Sequence, residues 1–510
     1  MKKWIWLFYA GLVFTEIALA DTYVVRPDGS GDFPTIQAAI NAVSDGDTIE
    51  LTNGTFTGDG NRDINYLGKA ITVRSQSGNP DSCVIDCQGS EANSHRGFYF
   101  HSGEGAESLL EGVTITNGRT SEDGAGVYCA NSSPTFTNCS ISGNSITHAG
   151  GGYGGGVYCI DSSPIFVNCI FGYNLIGNTS TGCGGGVACE NSSSTFLNCA
   201  ISANRASGVE AWGGGICAVN SSLIFVNCTI SGNEGSGYGP SGGGGVYCSG
   251  VSLVFTNCTI RGNSIESSES GASGGGVYCY CQDSATFTNC TICENSAQHY
   301  GGGVDGRGTF TSCVLWGNVP DQITPPGDAY VTYSDVQGGW SGEGNISADP
   351  RFRNSENGDY HLMWTNCGNP FDSPCIDAGD PSIEDDSLDC DFGLGTTLCD
   401  IGAYGGNAVP GSGVSYPDNP IMPVGFTLFQ NYPNPFNPTT AIRYDVKQAG
   451  QVRLTIFSLL GREVARLVDG RQLAGSYTVS WDAADLPSGI YLCRMEAPGF
   501  VQTRKLVLIK

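Results

Sequence analysis

The chain has 510 residues, 14% of them charged, with 76 glycines, 23 cysteines and a formal net charge of -26. That acidity excludes a nucleic-acid or anionic-lipid partner, either of which demands a basic footprint. The ordinary apolar content excludes a chain kept disordered by charge, and the length exceeds one compact core unless the architecture grows in one dimension.

Residues 1–20 read as a secretory signal, with Lys2 and Lys3, an apolar run from Trp4 to Val13, and Ala18-Leu19-Ala20 before Asp21. No other stretch approaches the roughly 18 uninterrupted apolar residues of a spanning helix. The mature chain is therefore expected outside the cell or on its outer surface, not membrane-spanning. Disulfides suit that compartment. Charge divides the chain further: residues 21–420 hold 42 acidic against 11 basic side chains, and residues 421–510 hold 6 against 10. Two domains with different surfaces follow.

After Asp21, the apolar residues Ile36, Ala39, Ile40 and Val43 fall at i, i+3, i+4 and i+7, which predicts a short amphipathic helix. Strands are expected at 48–51, 71–75, 83–87 and 97–102.

From residue 124 the chain repeats itself. Gly154-Gly155-Gly156-Val157-Tyr158-Cys159 leads through Asp161-Ser162-Ser163-Pro164 to Ile165-Phe166-Val167-Asn168-Cys169, and the unit ends at Asn174. The second cysteine recurs at 139, 169, 199, 228, 258, 290 and 313. Each unit offers three short strands, Val-Tyr-Cys, x-Phe-x and Cys-x-Ile, too brief to bury anything alone. Stacked about 4.8 Å apart, they pair every backbone group and share a core. Val157, Cys159, Phe166 and Cys169 then face inward and Tyr158 outward. Asn138, Asn168 and Asn198 mark the bends, where their amides can bond one coil away. The repeat accounts for them without invoking the sequon Asn138-Cys139-Ser140. Neighbouring coils bring Cα atoms within disulfide reach, so both thiols and disulfides fit the stacked cysteines.

The Gly-Gly-Gly-Val and Phe-x-Asn elements, over residues 108–318, resemble the repeats of bacterial right-handed β-helix surface proteins, including polymorphic outer-membrane proteins and autotransporter passengers. The resemblance implies an all-β, right-handed parallel β-helix solenoid of the pectin-lyase type over residues 21–404, with the helix closing its N-terminal end. Tyr333-Ser334-Asp335-Val336, Asn345-Ile346-Ser347-Ala348-Asp349-Pro350, Ser373-Pro374-Cys375-Ile376-Asp377 and Cys399-Asp400-Ile401-Gly402 resemble the end of β-helix proteins with interchangeable anchors. Residues 319–404 are thus expected to cap the last coil, stapled by Cys367, Cys375, Cys390 and Cys399.

Residues 405–424 form a linker rich in Gly, Pro, Asn and Ser. Alternating strands follow at 440–444, 451–457, 475–481, 489–495 and 504–509, a small β-sandwich at 425–510 with Cys493 as a buried thiol. Its Asn431-Tyr432-Pro433-Asn434-Pro435-Phe436-Asn437-Pro438, Leu486-Pro487-Ser488-Gly489-Ile490-Tyr491 and Thr503-Arg504-Lys505 resemble the type A C-terminal sorting domain of the type IX secretion system. That implies the secretion and sorting machinery as a partner. A flagellar-hook-like immunoglobulin fold shares the same motifs.

No catalytic, cofactor-binding or metal-binding residue stands out. A polysaccharide lyase needs a basic residue among acidic Ca²⁺ ligands, yet residues 97–350 contain no lysine and only Arg119, Arg205, Arg261 and Arg307, each expected in a loop or turn. Asp28-Gly29-Ser30-Gly31-Asp32-Phe33 resembles the start of pectin methylesterases, whose later carboxylate motifs are absent. Asp385-Asp386 lies in the cap, outside any polygalacturonase signature. Cys279-x-Cys281 and Cys290-x-x-Cys293 lack the second ligand pair and spacing of a zinc site. Asp380, Glu384, Asp385, Asp386, Asp389 and Asp391 form the one acidic run that offers Ca²⁺ ligands, and equally a solvated loop. The loops before each Gly-Gly-Gly carry His148, Tyr153, Trp212, Tyr238, His299 and Tyr300, which a solenoid would gather on one face for stacking sugars. The expectation is a non-enzymatic structural or adhesive protein that binds glycans; the competing class is a polysaccharide-active lyase or glycoside hydrolase.

Overall fold

The computed structural model describes residues 20–147, 150–250, 252–268, 271–279, 285–324, 329–385, 388, 390, 393–406, 426–428, 436–446, 450–458, 462–472, 475–484 and 486–509. Residues 1–19, His148, Cys281, Asp386, Asp389 and Asp391 lie outside them.

One coil runs through Val157–Ile160, Ile165–Val167, Ile170–Gly172 and Leu175–Cys183. Every strand pairs in parallel with its counterpart a coil away, so Cys159 faces Cys189, Phe166 faces Phe196 and Phe171 faces Ile201. Among the described residues the result is four long sheets of nine, twelve, eleven and ten strands. They are named here the tyrosine, phenylalanine, isoleucine and return sheets, in the order the chain visits them.

The return sheet is a correction to the three-strand expectation. Its members open as Ser145–Ile146, Leu175–Cys183 and Arg205–Trp212, polar and glycine-rich stretches without steady alternation. A single inward column, Ile146, Ile176 and Ala206, suffices to seat them, because their neighbours are already held in register.

The bends follow from residues that accept a left-handed backbone. Asn138, Asn168, Asn198, Asn227, Asn257 and Asn289 have φ of 49–53°, a region asparagine enters more readily than most side chains. The Gly-Gly-Gly signature answers a close approach. A Cβ on Gly184, φ +72°, would lie 2.1 Å from the Val187 carbonyl oxygen.

Two asparagine ladders run along the solenoid. The expected one is present: Asn168 Nδ2 donates to Asn138 Oδ1, Asn198 to Asn168 and Asn227 to Asn198, each at 3.1 Å. A second ladder lies wholly inside, between the isoleucine and return sheets. Asn144, Asn174, Asn204, Asn233, Asn263 and Asn295 each donate Nδ2 to the Oδ1 of the next, ending on Asn318, at 2.9–3.1 Å. The unit-ending asparagines that mark the repeat are therefore structural cores in their own right.

The inward rows are as expected, with Val157, Cys159, Phe166 and Cys169 buried. From Phe136 to Phe310 seven phenylalanines stack with centroids 4.7–5.0 Å apart. The stacked cysteines are thiols. Cys169, Cys199, Cys228 and Cys258 each donate to the carbonyl of an inward phenylalanine a coil back, at 3.4–3.6 Å. The Cys183–Cys217 and Cys367–Cys390 disulfides lie outside that stack.

At the N-terminal end the helix Ile36–Ala42 is capped by Thr35, whose Oγ1 accepts from Ala38 N at 3.2 Å, and it buries Ile36, Ala39 and Ile40. At the other end Trp340 packs against the core. Residues 352–406 do not sit over the last coil as expected. They fold back along the outer face of the isoleucine sheet, where Ala403 N meets Thr291 Oγ1 at 3.0 Å, Asn289 Nδ2 meets the Asp400 carbonyl at 3.1 Å and the Tyr360 hydroxyl donates to Glu294 at 2.7 Å. The reason is composition: the outward pair on that sheet is Ser140 and Ser142 in an early coil but Val314 and Trp316 in a late one. Within this flank segment only Cys367 and Cys390 are joined; Cys375 and Cys399 are buried thiols.

The C-terminal region forms antiparallel sheets of three and four strands around a separate core that includes Trp481, Tyr491 and Met495. Two strands escape the sequence reading. Glu463–Gln472 carries charges at 463, 466 and 469 that break its alternation, and Thr427–Leu428 is a two-residue pairing. Cys493 is a buried thiol, as expected.

Removing the Asn204 amide strands polar groups in the coils on either side, since it bonds Asn174 and the Phe171 carbonyl in one and Asn233 in the other. Asn204→Ala is expected to cost about 3 kcal/mol in urea denaturation. Alkylation of the unreduced, denatured protein followed by mass mapping is expected to label all 18 described thiols, and alkylation of the native protein to label none of those in the stack.

Candidate binding face

The outer surface of the tyrosine sheet is the strongest candidate. In the Val-Tyr-Cys strands the middle residue points away from the core, and register places Tyr99, Tyr128 and Tyr158 in one column that resumes at Tyr247 and Tyr278. Ala188 and Cys217 occupy the two coils between. Six coil steps at about 4.8 Å make this column about 29 Å long.

A second column runs beside it, made by the residues just before each Gly-Gly-Gly: Tyr153, Cys183, Trp212, Gly242, Ser273 and Tyr300 pair in that order. The two columns touch. Tyr153 and Tyr158 have centroids 5.7 Å apart, and Trp212 and Tyr247 4.8 Å. Tyr158 does leave the coil core as expected, yet it is only 5% exposed, because the loop carrying Tyr153 lies against it. The Cys183–Cys217 disulfide ties the columns together where tyrosine is missing.

Of the loop aromatics singled out in the sequence, Tyr153, Trp212 and Tyr300 share this face, and His148 lies outside the described residues. Tyr238 does not join them. It stands 66% exposed on a groove of about 860 Å³ over the return sheet, lined also by Arg205, Val209, Glu266, Ser267 and Gln298. The sequence reading missed Tyr99, Tyr128, Tyr247 and Tyr278, although a tyrosine recurring between Val and Cys at 128, 158, 247 and 278 was available as the signal.

Carboxylates rim the stripe. Glu190 Oε2 accepts from the Tyr158 hydroxyl at 2.8 Å, Glu210 Oε2 from the Trp212 indole at 3.2 Å and Asp123 Oδ1 from Tyr153 N at 2.9 Å. Burial, followed by these carboxylates, holds the Tyr153 and Tyr158 hydroxyls above the usual tyrosine range. They stay neutral donors at any physiological pH.

The residues weighed for catalysis are spread apart. Arg119, Arg205 and Arg261 lie in strands, not in the loops expected of them. Arg119 pairs with Glu91 at 3.7 Å and Arg205 with Glu234 at 3.3 Å, while Arg261 lies 5.2 Å from the Tyr360 ring under the flank segment. Cys290 faces the core and Cys293 the flank segment, so the two cannot share a metal. Burial lifts the Cys139 and Cys199 thiols well above their normal range, which at these two positions disfavours the thiolate that metal binding and nucleophilic attack require. Among the described residues no group of three His, Cys, Asp or Glu side chains is placed to hold a metal ion. In the acidic run, Asp380 spends its carboxylate on Ser382 N at 2.8 Å and Asp385 accepts from Gly406 N.

Parallel coils with inward asparagine and phenylalanine ladders define a β-solenoid. The family model described as "Right handed beta helix region" matches residues 38–218 and 173–324, more than half of the chain, and the chain belongs to that family. Residues 430–510 match the "Secretion system C-terminal sorting domain". The protein is thus a secreted or cell-surface β-helix protein that engages the type IX secretion machinery through its C-terminal region. No curated protein matches the chain, and no helix among the described residues is long and apolar enough to cross a membrane.

The flank segment holds the most perturbed carboxyl. Burial pushes Asp400 up to about 7, reinforced by Asp385 and Asp377, against the backbone N–H groups of Asp377 and Leu394 that each donate at 2.7 Å. An acid whose folded value lies above its unfolded value favours folding when protonated, so this contribution is present near pH 4 and lost as pH rises through about 7. Limited proteolysis of the flank segment is expected to quicken between pH 5 and pH 8, and Asp400→Asn to flatten that dependence.

Proposed function

We propose that the chain is a non-catalytic, adhesive glycan-binding protein that presents the tyrosine-sheet stripe at the cell surface. The observation that carries this reading is the two runs of Tyr and Trp rings, Tyr99 to Tyr158 and Trp212 to Tyr278, that together span about 29 Å of one sheet and are separated by the coil of Ala188. Such rings stack on the apolar faces of sugars while their hydroxyl and indole groups, and the carboxylates beside them, serve the sugar hydroxyls. Because the rings are fixed by register, little ordering entropy is lost on binding.

Export begins with residues 1–20, removed before Asp21. The β-helix domain, flank segment included, extends to residue 404, a linker covers 405–424, and residues 425–510 form an immunoglobulin-like sorting domain. Intact-mass measurement of the secreted protein tests the first of these assignments, which predicts Asp21 as the N-terminal residue.

A glycan array probed with the full secreted chain, beside a reducing-sugar release assay, tests the function. The expected outcome is glycan binding without sugar release. Trp212→Ala is expected to weaken binding about tenfold, the equivalent of about 1.4 kcal/mol of lost stacking, and Tyr238→Ala on the separate groove to leave it unchanged. Release of reducing ends would assign the protein to the polysaccharide-active enzymes instead.

A further inference from the structure

The charges around the stripe narrow the class of glycan, an inference that rests on the glycan-binding reading above. At the N-terminal end of the stripe the chain supplies its own cation. The Arg96 guanidinium lies 4.2 Å from the centroid of the Tyr99 ring and 5.2 Å from that of Tyr128, with Glu122 2.9 Å away. Cation, ring faces and carboxylate form one unit.

The next coils repeat the rings and the carboxylates without the cation. Tyr153 and Trp212 provide the faces, and Glu190 and Glu210 the negative charge, each carboxylate fixed by the bonds already described, whereas Asp123 is shared with Arg96, whose guanidinium donates to the Asp123 carbonyl at 2.7 Å. The charges that act on Tyr153 are all carboxylates, Glu190, Asp123 and Glu210. Between Arg119 and Arg205 the sequence contains no lysine or arginine. The ligand therefore has to bring positive charge together with a flat apolar face.

We propose that this part of the stripe binds amino-sugar polymers whose amino groups are free and protonated. The sugar face stacks on Tyr153 or Trp212, and the ammonium meets Glu190 or Glu210. A neutral sugar would leave the carboxylates uncompensated, and a polyuronate would be repelled by them. A lysine-rich peptide would satisfy the charge but offers no ring-sized face to an aromatic column that repeats coil by coil.

The test is isothermal titration of the full secreted chain with length-matched oligomers of glucosamine, N-acetylglucosamine and galacturonate, and with oligolysine, in mildly acidic buffer. The glucosamine oligomer is expected to bind at least about tenfold more tightly than the acetylated one, an advantage that added salt erases. Glu190→Gln combined with Glu210→Gln is expected to remove the same advantage while leaving binding of the acetylated oligomer intact, which also reports that the variant is folded. Equal affinity for the free and acetylated oligomers would overturn the inference and leave the glycan reading standing. Oligolysine binding as tightly as glucosamine oligomer, or tight binding of galacturonate, would also overturn it. If no oligosaccharide binds, the glycan reading falls with it.

Discussion

Every coil has to return to its starting point one strand spacing further along, and the buried asparagine ladder enforces that closure. Each internal side chain occupies three coils at once: Asn174 accepts from the backbone and side chain of Asn144, donates to Asn204, and donates to the Ile141 carbonyl of the coil before. A strand displaced by one residue would exchange its inward and outward rows and strand several of these groups in the core, where each unmet bond costs about 1–3 kcal/mol. Coil length is free to vary in between. The step from Asn295 to Asn318 covers 23 residues and that from Asn263 to Asn295 covers 32, yet both bonds are 2.9 Å long.

Because closure is settled inside, the outer surface is available for function. The outward position of the tyrosine sheet holds tyrosine in five coils between Tyr99 and Tyr278. The loops before Gly-Gly-Gly then rise beside it and contribute Tyr153 and Trp212. The carboxylates beside these rings are held by hydroxyl, indole and backbone N–H donors.

The inward rows, the terminal helix and the first asparagine ladder were legible in the sequence because one-dimensional repetition aligns identical residues without an alignment. Val157, Phe166 and Cys169 could be placed from spacing alone. The return sheet was not legible, since Ser145-Ile146 and Arg205-Ala206 carry no period of their own and become strands only when neighbouring coils fix them. The flank segment was misplaced for a related reason: its contacts join residues more than a hundred positions apart, such as Ala403 with Thr291, and sequence proximity suggested the end of the solenoid instead of its side. The candidate face was half legible. Trp212 and Tyr153 stood out as loop aromatics, whereas Tyr247 and Tyr278 were hidden in plain view as strand residues, and Tyr238 was assigned to the wrong side.

The side-on course of residues 352–406 determines how a load would travel through the molecule. Tension arriving from the C-terminal direction reaches Gly406 and the bonds at Thr291, Asn289 and Glu294 before it reaches the last strand of the solenoid. The strain is thereby shared across several coils in shear, in place of being concentrated on one terminal strand that could be peeled away.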